Sequence, residues 1–422
     1  MRNAIVVLQV FVAYSSALQA QAITTPSPKK LAFLVTSLVE DSIQAAPPGL
    51  QGLLRQSISV SQASVNSALA AQLSNLPIPS PASAYRFTFD PNLGVYVRSV
   101  QSLGPILTER AETIGRNQFH FALTYQRYSF NGLDDLDLRR FEIGIPLSVP
   151  ASVFNPALRG EINGLIAAQS SIDITISQAT AHVTYGLTHN TDISLAMPIV
   201  HSSVTLRTEA AFLNNLGQPL FAFPARWLDG ASTGLGDGVV RIKRRLFRSP
   251  KLGVALATDF RLPIGDEFNY HGAGAYGVKP FLVLSASGRR ISPRVNAGYQ
   301  WNGSSFLASN SATRKQKLPT QVFYSAGCEA GVSEKLTLAF DFFDTFVANG
   351  ERSFLRDLPP HAAGQFQSVV YENRSRHEYS ASAGVKAALP RGMILSWNVL
   401  FCLNSAGLRA RVVPMLGASV VF

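Results

Sequence analysis

Residues 117–130 read NQFHFALTYQRYSF. Successive side chains of an extended strand point to opposite sides, so Phe119, Phe121, Leu123 and Tyr125 share one face and His120, Ala122, Thr124 and Gln126 the other. This is a strand with an apolar side and a polar side. The same period of two recurs near 171–187, 192–212, 235–248, 252–265, 275–289, 291–303, 319–333, 336–347, 376–389, 392–404 and 407–422. In the last of these, Leu408, Ala410, Val412, Leu416, Ala418, Val420 and Phe422 alternate with Arg409, Arg411, Val413, Gly417 and Ser419. Twelve strands follow.

The connections alternate in length. From the first strand onward, the odd ones are long, at roughly 40, 20, 10, 15 and 30 residues, and end in the tight turn Asn404-Ser405-Ala406-Gly407. The even ones are short: Thr188 to Thr191, Arg248 to Lys251, Arg289 to Pro293, Ser333 to Lys335 and Pro390 to Gly392. Long loops at one end, short turns at the other and an even strand count describe a bacterial outer-membrane barrel. Lipid offers no hydrogen-bond partners, so a sheet crosses it only when closed, with apolar side chains outward and polar ones in the lumen. Each segment is roughly 12 to 16 residues, enough for a tilted crossing of about 9 to 11. Tyr125, Tyr128, Phe130, Tyr299, Trp301, Phe342, Phe343, Phe346, Tyr379 and Phe401 gather near strand ends as candidates for interfacial girdles.

Composition agrees with this layout. The 422 residues are 46% hydrophobic and only 15% charged, with two cysteines. That argues against a disordered or coiled-coil chain, a disulfide scaffold and a Cys-rich zinc protein. A net charge of +11 invites a nucleic-acid reading, but the basic residues are scattered. Their densest group, Lys243, Arg244, Arg245 and Arg248, is interrupted by apolar positions, as a strand would be. At the N-terminus, Arg2, an apolar stretch from Ala4 to about Ala13 and the small residues of Ala20-Gln21-Ala22 form a secretory signal peptide over residues 1–22. Beyond it, no apolar run is long enough for a spanning helix.

The chain ends Val420-Val421-Phe422, which resembles the terminal signal by which outer-membrane barrels are recognised for assembly. The stretch Phe87-Thr88-Phe89-Asp90-Pro91, Leu93-Gly94-Val95, Gly104-Pro105-Ile106 and Glu109-Arg110-Ala111-Glu112-Thr113-Ile114-Gly115, followed by an aromatic-rich strand, resembles the outer-membrane transporter-like proteins of the phenol meta-pathway family. Those are distantly similar to long-chain fatty-acid channels. The Thr233-Gly234-Leu235-Gly236-Asp237 start of the next strand is similar to that family's recurring Gly-Leu-Gly-Asp. The resemblance spans residues 85 to 422 and implies an outer-membrane channel without naming its solute. It also implies the barrel-assembly machinery and outer-membrane lipid as partners.

Residues 23–84 read differently. Leu31, Leu34 and Leu38 share one helical face and Val65, Leu69 and Leu73 another, with Pro47-Pro48 and Pro77-Ile78-Pro79-Ser80-Pro81 as breakers. Two short helices are expected there, as a lumen plug or a periplasmic extension. A hairpin at about 85–98 and a lead-in to 116 precede the barrel, 117–422. The fold class is therefore all-β, an antiparallel transmembrane β-barrel of about twelve strands with a short helical N-terminal segment.

Projecting the alternation inward nominates lumen residues. Arg241, Lys243 and Arg245 turn inward on the fourth strand, Asp259 and Arg261 on the fifth, and Arg241 falls opposite or diagonal to Asp259. Glu329 comes near Asp341 through the 333–336 turn, a like-charge pair that needs a cation or a lumen arginine. With Arg294, Lys386, Arg409 and Arg411 the interior is expected to be predominantly basic. That interior suits anionic solutes; alternatively, the charges only brace the wall.

Catalytic searches yield little. Gly234-x-Gly236-x-Gly238 precedes a strand rather than a helix, and the chain carries no GxSxG, HExxH, CxxC or phosphate-loop pattern. His120 and His182 face inward on neighbouring strands but make an incomplete metal site. Cys328 and Cys402 fall on non-adjacent strands and opposite faces, too badly placed to pair. No catalytic residue, metal, cofactor or nucleic-acid partner is expected. The sequence thus points to a passive bacterial outer-membrane channel for small hydrophobic, aromatic or amphiphilic anionic compounds. The alternatives are a lipase-like barrel enzyme with Ser and His on its rim, or a structural barrel.

Overall fold

A computed structural model describes residues 30–58, 62–77, 87–90, 95–98, 102–157, 159–288, 290–309 and 314–421. The signal peptide and the terminal Phe422 lie outside the described residues.

Twelve strands close into a barrel: β1 (Phe119–Phe130), β2 (Glu161–Thr188), β3 (Thr191–Asn214), β4 (Gly238–Arg248), β5 (Leu252–Leu262), β6 (Gly277–Ala286), β7 (Ile291–Asn302), β8 (Gln321–Gly331), β9 (Leu336–Asp357), β10 (Gln367–Ala388), β11 (Ile394–Cys402) and β12 (Val412–Val421). Each pairs antiparallel with its neighbour in sequence, and β12 pairs with β1 to close the ring. Closure leaves no edge of unpaired amides, the condition for crossing lipid.

The outer wall is apolar and exposed. Leu195, Ile199, Ile242, Leu256, Leu282, Val295, Trp397 and Leu416 all point out, whereas His120, Thr124 and Gln126 of β1 are buried inside. That inversion, large apolar residues outside and polar ones inside, identifies an outer-membrane-type barrel. The aromatic candidates divide between the two sides. Tyr125, Trp301, Phe342 and Phe401 are exposed on the wall, but Tyr128 and Phe130 are buried and Phe343 packs on the same interior cluster. The parity of β1 decides this: even positions from His120 onward face inward, so Tyr128 and Phe130 continue the polar face rather than the lipid face.

Two strand pairs, β2–β3 and β9–β10, rise past the barrel. β2 and β3 extend together beyond its rim, where β2 also pairs with Phe141–Pro150 and β3 with Arg226–Leu235. Residues 226–234, expected to belong to the loop of about 20 residues before the fourth strand, therefore lie in a strand of their own, Arg226–Leu235, ahead of β4. Arg226–Leu235 pairs with the far half of β3, β4 pairs with its near half, and the chain passes from one to the other at Gly236-Asp237. Glycine is required at that step: a Cβ on Gly236 would stand 2.8 Å from both Pro198 and Val200.

The N-terminal segment forms three helices, α1 (Leu34–Gln44), α2 (Pro48–Ile58) and α3 (Gln62–Leu73), where two were expected. Pro48 does not break the chain into loop but opens α2, a position at which its missing N–H costs nothing. The faces read from the sequence hold: Leu31, Leu34 and Leu38, with Val65, Leu69 and Leu73, are all buried. They pack against Tyr128, Phe130, Ile174, Ile176, Val204 and Leu206, inward residues of β1 to β3, so α1 and α3 lie at the long-loop end of the barrel interior, while α2 packs through Leu50 and Leu54 on Val149, Ile166 and Phe212. The expected hairpin is present as Phe87–Asp90 paired with Val95–Arg98.

Candidate functional site

The interior is occupied at two levels. At the upper level, α3 ends against the wall. The carbonyl of Ser74, left without an intrahelical partner, accepts hydrogen bonds from Arg261 Nη1 and from Gln300 Nε2 at 2.9 Å. A guanidinium at a helix C-terminus also meets the negative end of the helix dipole. Gln72 Nε2 donates to Glu378 at 2.9 Å, and Gln126 Nε2 to Pro77 O at 3.2 Å.

At the lower level, residues 102–115 cross the lumen as irregular, bent chain. Their backbone bonds to wall side chains instead of a neighbouring strand. Leu103 N donates to Thr337 Oγ1 (2.8 Å), Glu109 N to Asn296 Oδ1 (2.8 Å), Ala111 N to Ser285 Oγ (3.1 Å) and Ile114 N to Asp192. Asn296 Nδ2 returns a bond to Glu109 O at 2.9 Å. Buried backbone donors must be satisfied, and the polar inner faces of β3, β6, β7 and β9 satisfy them. This stretch was expected to be a simple lead-in; it is part of the interior.

Glu109 is the centre of that crossing. Its carboxylate lies 2.8 Å from Arg241 Nη1 and 3.1 Å from Lys243 Nζ, all three buried. Arg241 also holds both oxygens of Asp259, at 2.6 and 2.8 Å, its direct cross-strand partner in the β4–β5 register. Glu329 and Asp341 are indeed brought together, and the cation between them is Arg294. Its Nη2 is 2.6 Å from Asp341, its Nη1 bonds Glu329, and its Nε donates to Thr108 of the crossing segment. Lys386 donates to the carbonyl of Pro105.

The remaining candidates lie elsewhere. Arg245 braces the short β2–β3 turn through His189 O and Asn190 Oδ1. Arg409 sits above β11, donating to Tyr379 O at 2.8 Å and pairing with Glu378 at 3.2 Å. Arg411, expected inside, is exposed in the bend between Leu408–Arg409 and β12. The alternation of the last strand had been carried too far back. Leu408 and Ala410 are buried rather than lipid-facing, because Leu408–Arg409 pairs with Gly132–Leu133 and not with the barrel. His182 bonds Thr124 at 3.1 Å, and both cysteines are free.

The expectation of a predominantly basic lumen needs correction. Arg241, Lys243 and Arg294 are matched by Glu109, Asp259, Glu329 and Asp341, one of which comes from the inserted segment. Glu109 was visible only as part of a family motif; nothing in its flanking pattern announces a chain that crosses the inside of a barrel.

Between the two levels lies a central cavity of about 240 Å³. Its charged wall comes from β4 to β6, with Arg241, Asp259, Arg261 and Lys279. Across from it, β1, β11 and β12 contribute the apolar Tyr128, Phe130, Leu400 and Val413, beside which stand Asp344, Glu378 and Arg409. Phe281 and Phe323 meet edge to face at 5.8 Å beside Lys279. Lys279 was missed in the sequence, although its inward position between Val278 and Pro280 follows from the β6 alternation.

On the cavity wall, Asp237 anchors the loop between β5 and β6. It accepts Ala273 N at 2.8 Å and Gly265 N at 3.1 Å. Burial raises its carboxyl to about 6, against those amides and the nearby Arg261, which pull it down.

Comparison with known proteins gives the following. No curated protein matches the chain. Among solved structures, an outer membrane channel from Pseudomonas putida F1 is similar at 9% identity and TM-score 0.46, over 74% of this chain and 98% of that one. The NanC porin is similar at 6% identity and TM-score 0.37, over 71% and 98%. The toluene transporter TodX of Pseudomonas putida is similar at 9% identity and TM-score 0.25, over 73% and 88%. In sequence, residues 163–337, from β2 to the start of β9 and including the Gly-Leu-Gly-Asp step, match the family described as "Putative MetA-pathway of phenol degradation", the family that the motifs resemble.

Proposed function

We propose that this protein is a passive bacterial outer-membrane channel for small hydrophobic, aromatic or amphiphilic anionic compounds. The observation that carries the reading is the central cavity, which sets Arg241, Arg261 and Lys279 across from Tyr128, Phe130, Leu400 and Val413, with Glu378 and Arg409 also on its wall. A solute with an apolar body and one polar end matches both walls at once. The fully polar, water-filled lumen of a general porin would not provide the Tyr128, Phe130, Leu400 side. The two levels of chain inside the lumen narrow the path, so on this reading a solute passes when the chain lining its exit yields.

The test is uptake into liposomes that carry the refolded protein, with labelled aromatic acids, fatty acids and sugars. Entry of the aromatic acids or fatty acids well ahead of sugars supports the reading. No uptake of any of them, or hydrolysis of ester or phospholipid lost on substituting one serine, would transfer it to a structural barrel or an enzyme.

A further inference from the structure

Lys279 differs from every other cation on the cavity wall. Arg241 is held by Asp259 and Glu109, Arg261 by Ser74 O, Ala275 O and Asn302, and Arg409 by Glu378, Tyr379 O and Ser380. Lys279 makes no hydrogen bond or ion pair among the described residues. Asp259 is its cross-strand neighbour, but both oxygens of that carboxylate are taken by Arg241. Its ammonium instead lies 3.9 Å over the ring of Phe323, two strands away.

The intervening strand permits this reach. Gly298 of β7 stands between Phe281 and Phe323 in register, and a Cβ there would fall 2.5 Å from Phe281 Cβ and 2.8 Å from Phe323 Cε1. The missing side chain leaves a lane in which the two rings meet and Lys279 crosses. An ammonium on an aromatic face keeps its charge and its N–H donors available on the side away from the ring.

We propose that Lys279 is the anion-binding residue of the cavity and that the ligand is a small monocarboxylate with an apolar, preferably aromatic, body. Its carboxylate accepts from Lys279 Nζ, and its body lies toward Tyr128, Phe130 and Val413 on the opposite wall. This deepens the channel reading and rests on the same cavity.

Binding is measured on the intact, detergent-folded protein by calorimetry, with benzoate as the anion and benzamide as its neutral counterpart. Wild type is expected to prefer benzoate. Lys279→Met is expected to lose about ten-fold or more in benzoate affinity with benzamide unchanged, the size of one charge-assisted contact. Lys279→Arg is expected to restore the preference. A merely structural lysine would weaken both ligands together. Unaltered benzoate binding in Lys279→Met, no preference in wild type, or binding of neither compound would each overturn the assignment; unshifted heat-modifiable gel mobility shows that the variants are folded. Failure of liposome uptake with Lys279-dependent benzoate binding intact would sink the channel reading alone. Uptake that continues with Lys279-independent binding would sink this inference alone.

Discussion

Glu109, on a chain segment that runs through the lumen, is ion-paired with Arg241 on the barrel wall at 2.8 Å. One buried carboxylate thereby joins the inserted segment to two adjacent wall cations, since Lys243 reaches its other oxygen. Removing one partner of such a cluster leaves uncompensated buried charge, which costs about 3–5 kcal/mol. Glu109→Ala is therefore expected to loosen residues 102–115 and raise their proteolytic susceptibility in the folded barrel. Cleavage in this segment at the wild-type rate would contradict that.

Arg294 plays the converse part, separating two acids that the β8–β9 hairpin forces together. Arg294→Met is expected to lower the denaturant midpoint in detergent by the equivalent of about 3–5 kcal/mol. The triple variant Arg294→Met, Glu329→Gln, Asp341→Asn should recover most of it, because neutral amides remove the repulsion. If the triple variant were no more stable than the single one, the like-charge account would be wrong.

Arg261 caps α3 through Ser74 O. Arg261→Met is expected to increase hydrogen exchange at the C-terminal turn of α3 while leaving the strand amides of β5 protected, since the β5 ladder does not use that side chain. Equal loss in both places would mean that Arg261 holds the wall rather than the helix.

These cases mark what could be read from the amino-acid order. The strands were readable because lipid outside and polar groups inside impose a strict period of two, and Arg241 against Asp259 followed from it. Residues 102–115 were not, because irregular chain that bonds to side chains has no repeat. Tyr128 and Phe130 were assigned to the lipid interface by residue type when parity placed them inside. Arg226–Leu235 reads as loop in the sequence because Gly230, Gly234 and Gly236 break its alternation with turn signals.

Asp237, at the step between Arg226–Leu235 and β4, gives a pH dependence. Burial raises its carboxyl to about 6 from an ordinary value of 3.8. The folded loop therefore favours the proton: the stabilisation is complete below pH 3.8 and is lost as the pH rises through about 6. Protection of the Gly265 and Ala273 amides, corrected for intrinsic exchange, is expected to be greater at pH 5 than at pH 7.5. Asp237→Asn should flatten that difference, and a profile that rises with pH would reverse the assignment.

The most direct test of a lumen closed by its own inserted chain is current through single molecules in planar bilayers, comparing wild type with Glu109→Ala. The account predicts small, mostly closed currents for wild type and larger, more frequent openings for the variant. Identical traces from the two, or a wide and permanently open pore in wild type, would contradict it.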